Sequence, residues 1–219
     1  VLAAILSIGA IGALLVTAEY LWRKKLLDAE IARKLIHIGV GTFIAFWPLF
    51  MSWTMIQLLA GVLFLGVLVS YQFGVFGAIH KVKRKTGGEL WFPVGIGLAA
   101  LLTDQPWVFA VAVMHLSLAD GLAAVVGSKW ARKHYQIGQH TRSLLGSFAF
   151  FVVSAGLCAG AFLILSRELP GISLAVFAIT PFLATAVESI SRHGLDNVFV
   201  PLVVVFALGL PTGTILINL

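Results

Sequence analysis

Apolar residues run through this chain in long blocks, without the strict alternation of a half-buried strand, and short polar stretches separate the blocks. A helix needs about 20 apolar residues to cross the hydrocarbon of a bilayer. Eight blocks approach that length: 2–22, 35–51, 53–73, 91–104, 107–128, 144–166, 171–188 and 198–217. The fourth is short and carries Pro93, Gly95 and Gly97, so it is expected to be tilted, broken or re-entrant. The pattern predicts an all-α, polytopic membrane bundle of about eight transmembrane helices. No repeat or linker divides it, so 1–219 reads as a single domain. Val1 to Trp22 lacks a basic start and an obvious cleavage site and is followed by Arg23, Lys24 and Lys25, which marks a retained span rather than a signal peptide.

Composition strengthens this picture. The chain is 60% hydrophobic and 11% charged, with a mean hydropathy of +1.02, far from the roughly one quarter of charged residues in soluble domains. Its net charge of +6 reads as topology and affinity for anionic headgroups, so no nucleic-acid partner is expected. The basic residues sort by loop: Arg23, Lys24, Lys25, Arg33 and Lys34 follow the first block, Lys81, Lys83, Arg84 and Lys85 the third, Lys129, Arg132, Lys133 and Arg142 the fifth, and Arg192 the seventh. Only Arg167 falls in the alternate set. The positive-inside rule then places these four loops in the cytoplasm and both termini on the opposite side. Trp47, Trp53 and Trp107 flank outer turns and Trp22, Trp91 and Trp130 inner loops, as expected of interfacial anchors. The single cysteine, Cys158, reads as a packing residue, and Gly156 and Gly160 form a small-residue pattern for close helix approach.

The chemistry that a bilayer does not explain lies at the loop ends. Asp120 sits within an apolar block, where a carboxylate is costly and marks function by default. Ser117, Asp120, Ala124 and Gly127 recur at helical spacing and form a small, polar face. Glu188 pairs with Arg192 one turn away or turns to a ligand, and Asp196 and Asn197 cap the last helix or join it. Asp120, Glu188 and Asp196 all fall at cytoplasmic ends, where several carboxylates suit a hard cation such as Mg²⁺. Arg33, Lys34 and His37 open the second block, with His37 placed to donate to a phosphate or carry a proton. Gly87 and Gly88 permit close approach to a ligand, and Glu89 adds a fourth acid. Arg142, Ser143, Gly146 and Ser147 enter the sixth block as an anion site of amides, hydroxyls and a guanidinium. The chain has no phosphate loop of the Gly-x-x-x-x-Gly-Lys-Ser/Thr type, and the Gly95-x-Gly97-x-x-Ala100 match has no preceding strand.

In order, Arg33-Lys-x-x-His37, Gly88-Glu89, Asp120-Gly-x-Ala-x-x-x-Gly127, Arg142-Ser-x-x-Gly-Ser147, and Glu188 followed by Asp196-Asn-x-x-x-Pro201 resemble the polyprenol kinase family. That family comprises dolichol kinases, phytol kinases and CTP-dependent diacylglycerol kinases. The resemblance covers about residues 30–205. It implies a membrane kinase that moves the γ-phosphoryl group of a nucleotide, typically CTP with Mg²⁺, onto the hydroxyl of an isoprenoid alcohol in the bilayer. Taken together with the residue chemistry above, Asp120, Asp196 and His37 are expected to be catalytic, and Asp120, Glu188 and Asp196 to hold metal. Arg33, Lys34, Lys129, Arg142, Ser143, Gly146, Ser147 and Asn197 are expected to bind nucleotide, with Glu89 as a further acid. Arg142 stands where many relatives carry Lys, and Leu145 where some carry Glu. Arg keeps the charge and grips phosphate bidentately. A lipid cytidylyltransferase, a diacylglycerol kinase and a solute transporter are the alternatives.

Overall fold

The computed structural model describes residues 1–75, 87–137, 140–168 and 173–209. Each of the eight apolar blocks contains a helix: α1 (Leu2–Arg23), α2 (Ala29–Ala45), α3 (Trp53–Phe73), α4 (Gly88–Leu102), α5 (Pro106–Trp130), α6 (Leu144–Glu168), α7 (Leu174–Ile190) and α8 (Asp196–Gly209). Four of them, α1, α3, α5 and α6, contain stretches long and apolar enough to cross a membrane. The other four have 17, 15, 17 and 14 residues, short of the usual span of about 20. Of the expected basic loops, Lys81, Lys83, Arg84 and Lys85 lie outside the described residues, as do 171–172 of the seventh block and 210–217 of the eighth.

Helix α5 is the axis. Two thirds of its apolar window is buried, 67% against 22–28% for α1, α3 and α6. The neighbours keep apolar side chains such as Leu58, Leu65, Phe148 and Leu163 exposed, the distribution expected of a bundle that lipid surrounds. Ile44, Ile56, Ile96, Phe109, Leu116, Phe150 and Leu208 are among the side chains closed off inside.

The starts of two helices differ from the sequence reading, and both differences bear on the site. Asp28 accepts the Ile31 amide at 2.9 Å and so caps α2 six residues before the apolar block begins. Arg33 and Lys34 therefore lie on the first turns of α2 rather than in a loop, with Lys34 and His37 three apart on one face. Gly87, at φ +64°, takes the left-handed conformation that begins α4, which brings Gly88 and Glu89 into the helix. Helix α4 continues unbroken through Pro93.

A third difference is the two-stranded antiparallel hairpin that replaces part of the expected basic loop. Strand β1 (His134–Ile137) pairs with β2 (His140–Ser143), His134 opposite Ser143 and Tyr135 opposite Arg142. Tyr135, Ile137 and Thr141 favour extended backbone, but four residues per strand give too short a pattern to detect.

Within α5 the helix widens to π geometry over His115–Ala119. His115, fully buried, donates from Nδ1 to the Val111 carbonyl at 2.8 Å, so its Nε2 accepts from Ser154 Oγ of α6 at 2.7 Å. Cys158 lies beside this pair, consistent with packing. The polar face expected on α5 is split between two neighbours: Ser117 and Asp120 turn to α2, Gly127 to the start of α6.

Two readings are corrected. Trp47 is no interfacial anchor: it is 1% exposed and meets Phe43 edge-on inside the core. Trp53 and Trp107 likewise turn inward, against Phe109 and Phe177, whereas Trp91 and Trp130 stay exposed. A side chain at Gly156 or Gly160 would meet nothing within 4 Å, so no described helix packs on that small-residue pattern.

Close approach does occur where α4 crosses α8. A Cβ on Gly95 would run into the Asn197 carbonyl and Pro201. Gly95→Ala is therefore expected to lower stability by about 1–3 kcal/mol, the usual cost of overpacking. Thermal unfolding in detergent measures it, and an unchanged midpoint would show that the α4–α8 crossing yields.

Candidate active site

The candidate site lies where the early turns of α2, the middle of α5, strand β2, the end of α7 and the start of α8 meet. Two charged clusters compose it. In the first, Lys34 Nζ donates to Asp120 Oδ2 at 2.8 Å, and His37 Nε2 stands 3.3 Å from the same oxygen. His37 Nε2 also lies 2.8 Å from the Leu116 carbonyl, an acceptor only, so Nε2 carries a hydrogen and donates it there. The carbonyl faces His37 from inside the widened π turn, which links that irregularity to the site. Phe92 of α4 packs on the imidazole with ring centres 4.6 Å apart.

In the second cluster, Arg142 spans two helices. Its Nη1 donates to Glu188 Oε1 at 2.7 Å, and its Nη2 to Asp196 Oδ2 at 2.9 Å and the Ser191 carbonyl at 3.0 Å. Burial works against the guanidinium's charge, but Glu188 and then Asp196 outweigh it, so its pKa is held above the ordinary arginine value. Glu188 thus pairs with Arg142 of β2 rather than with Arg192, which lies beyond the end of α7.

The clusters face one another. Carboxylate oxygens of Asp120, Glu188 and Asp196 all lie within 4.8 Å of each other, although the residues are buried and come from three helices. Hard oxygen donors at this separation suit a divalent cation such as Mg²⁺.

The rest of the expected nucleotide set divides. Ser143 Oγ accepts the Gly146 amide at 3.0 Å and thus starts α6, while Ser147 Oγ is 2.7 Å from the Tyr135 hydroxyl of β1. Gly127 and Gly146 bring α5 and α6 into close contact, since a Cβ on Gly146 would lie 3.1 Å from the Ala123 carbonyl. Ser143, Gly146 and Ser147 lie close to Arg142 in sequence, at the junction of β2, α5 and α6. Lys129 does not join them: it is exposed, with its ammonium 5.6 Å from the Trp130 ring centre.

Arg33, Lys34, His37, Glu89 and Asn197 share a different setting, the polar end of a cavity of about 400 Å³. Arg33 donates to Glu30 at 2.8 Å, and Glu89 accepts from the Tyr71 hydroxyl. Asn197 donates from Nδ2 to the Gly194 carbonyl at 3.0 Å, while its buried Oδ1 has no hydrogen-bond partner among the described residues. Beyond these groups the wall is apolar, from Ile8, Ile11 and Leu15 of α1, Val40 of α2, and Val62 and Leu63 of α3. The cavity and its lining were not legible in the sequence, nor was Tyr71. A tyrosine near a span's end, three residues before Gly74, has only the signature of an interfacial ring.

No family model matches the chain, and no solved structure matches it. Among curated proteins, the phytol kinase of Synechocystis sp. is 33% identical over 198 residues, which cover 88% of this chain and 84% of that protein. A probable chloroplastic phytol kinase 2 of Oryza sativa is 29% identical, covering 87% and 69%. The chloroplastic farnesol kinase of Arabidopsis thaliana is 27% identical, covering 63% and 48%. Identity of this extent to the cyanobacterial protein, together with the ordered motifs, shows that the chain belongs to the polyprenol and phytol kinase family and is an enzyme of the phosphotransferase class.

Proposed function

We propose that this protein transfers the γ-phosphoryl group of a nucleoside triphosphate, CTP by family resemblance, to the hydroxyl of an isoprenoid alcohol of the phytol or farnesol kind. The observation that carries the reading is that Lys34 and His37 line an apolar cavity and also bind the Asp120 carboxylate. A long alcohol with its tail in that cavity has its hydroxyl beside the charged clusters.

The alcohol oxygen attacks the γ-phosphorus, the bond to the bridging oxygen breaks, and a nucleoside diphosphate leaves. Phosphoryl transfer asks mainly for positioning and charge neutralisation. His37 Nδ1 takes the alcohol proton, and Asp120 steadies the imidazolium that results, much as a carboxylate supports a histidine base elsewhere. Arg142 and Lys34 draw the phosphate oxygens toward the carboxylates. Asp120, Glu188 and Asp196 would hold Mg²⁺, which when bound neutralises charge on the transferring group. In this reading all eight helices cross the membrane, both termini lie outside, and the nucleotide reaches the site from the cytoplasm. The alcohol arrives laterally from the bilayer.

The test is incubation of purified protein with γ-labelled CTP, Mg²⁺ and a panel of lipid alcohols. Label is expected in the lipid. Label released only as pyrophosphate would overturn the kinase in favour of a cytidylyltransferase. ATP, GTP and UTP in parallel decide the donor, and EDTA is expected to stop transfer.

A further inference from the structure

The cavity has a shape that its chemistry alone does not require. Helix α1 packs on α2, and α3 on α4, and the cavity lies between α1 and α3. Each of those two helices offers it one face: Ile8, Ile11, Gly12 and Leu15 from α1, and Val62, Leu63, Gly66, Val67 and Ser70 from α3. A glycine falls inside each face. A Cβ built on Gly12 or on Gly66 would meet nothing within 4 Å, so neither glycine is there to let another element approach. Their missing side chains are part of the open volume.

The polar groups all sit at one end, near Ser70 and the first turns of α2, and the opposite end is apolar. From Ser70 to Val62 the groove runs along about 12 Å of helix. At roughly 1.2 Å per extended chain bond, that length holds about ten carbons of one tail. On an isoprenoid chain a methyl branch recurs every fourth carbon, about every 5 Å, so such a segment carries at least two branches, and a groove for it must widen along its length. Gly12 and Gly66 provide widening on opposite walls.

We propose that Gly12 and Gly66 are specificity-determining positions that make room for the methyl branches of a single isoprenoid tail. The assignment rests on the kinase reading for the identity of the headgroup reaction, but it concerns tail shape. It predicts that filling these positions penalises a branched alcohol more than an unbranched one of equal chain length.

Phytol and hexadecanol form that pair, because both have sixteen-carbon chains and only phytol is branched. With γ-labelled CTP, Gly12→Leu and Gly66→Leu are expected to lower the ratio of kcat/KM for phytol to that for hexadecanol by about tenfold or more, the discrimination available from apolar pocket contacts. Gly9→Leu and Gly61→Leu add the same side chain to α1 and α3, also into open space but outside this cavity, and are expected to leave the ratio unchanged. Leucine is a better helix former than glycine, so the helices should persist. If either variant fails to express, the Ala substitutions read the same ratio. Transfer by the wild type with an equal ratio in all four variants overturns this assignment and leaves the kinase intact. If the wild type transfers to no alcohol of the panel from any of the four nucleotides, the kinase reading falls, and the tail groove is then judged by thermal shift. Stabilisation by phytol that Gly12→Leu and Gly66→Leu abolish supports it, and no stabilisation of the wild type overturns it.

Discussion

Asp120→Asn is expected to reduce phosphoryl transfer about a thousandfold or more, with the protein still folded. The substitution keeps the shape but removes the charge that His37 and Lys34 share, and with it one of the three carboxylates expected to hold a cation. Loss of acid–base assistance alone is worth about 10²–10⁴ in rate. The variant also leaves the Lys34 ammonium buried beside a neutral amide, which typically costs about 3–5 kcal/mol. A second variant separates the two effects. Lys34→Met combined with Asp120→Leu replaces the ion pair by apolar packing and is expected to recover most of the thermal midpoint while remaining inactive. Activity within tenfold of wild type in Asp120→Asn would remove Asp120 from the chemistry.

Arg142 gives the next largest effect. Arg142→Ala leaves Glu188 and Asp196 buried side by side with no cation between them. A loss of about 3–5 kcal/mol in stability is expected, with transfer reduced about 10²–10³-fold through lost charge stabilisation. Because the freed carboxylates gain affinity for a cation, Mg²⁺ should raise the unfolding temperature of Arg142→Ala more than that of wild type. Arg142→Lys is expected to be milder, about tenfold in rate, since one ammonium keeps the charge but loses the fork that reaches both helices. Thermal shifts in Mg²⁺ and in EDTA, beside rates in saturating nucleotide, measure all of this. Equal Mg²⁺ responses in wild type and Arg142→Ala would argue against Glu188 and Asp196 as cation ligands.

The helices α1–α8 among the described residues were legible because lipid tolerates few polar groups, so apolar blocks mark helices almost directly. Their starts were less so. Arg33 and Lys34 look like a loop, and only the capping by Asp28 shows that α2 has already begun. Asp120 stood out because a carboxylate within an apolar block is costly, and its grouping with Glu188 and Asp196 followed from all three lying at ends of the same polarity. The partners did not follow. Lys34 meets Asp120 from another helix, and Arg142 reaches Glu188 and Asp196 from a hairpin whose strands carry no readable period. Nor does hydropathy separate Trp47, closed in the core, from Trp91 at the surface, since both are large rings at the end of an apolar block.

The wide turn at His115–Ala119 sets how α5 can vary. One residue corresponds to about 100° of rotation in an α-helix. Deleting a residue from this turn would restore ordinary geometry and swing one half of α5 relative to the other. Either His115 would leave Ser154, or Asp120 would leave Lys34 and Gly127 would leave Gly146. The turn works as a phase adjuster that lets the two halves of one rod obey different neighbours. Length changes that the loops of this protein absorb easily would, in these five positions, dismantle the site.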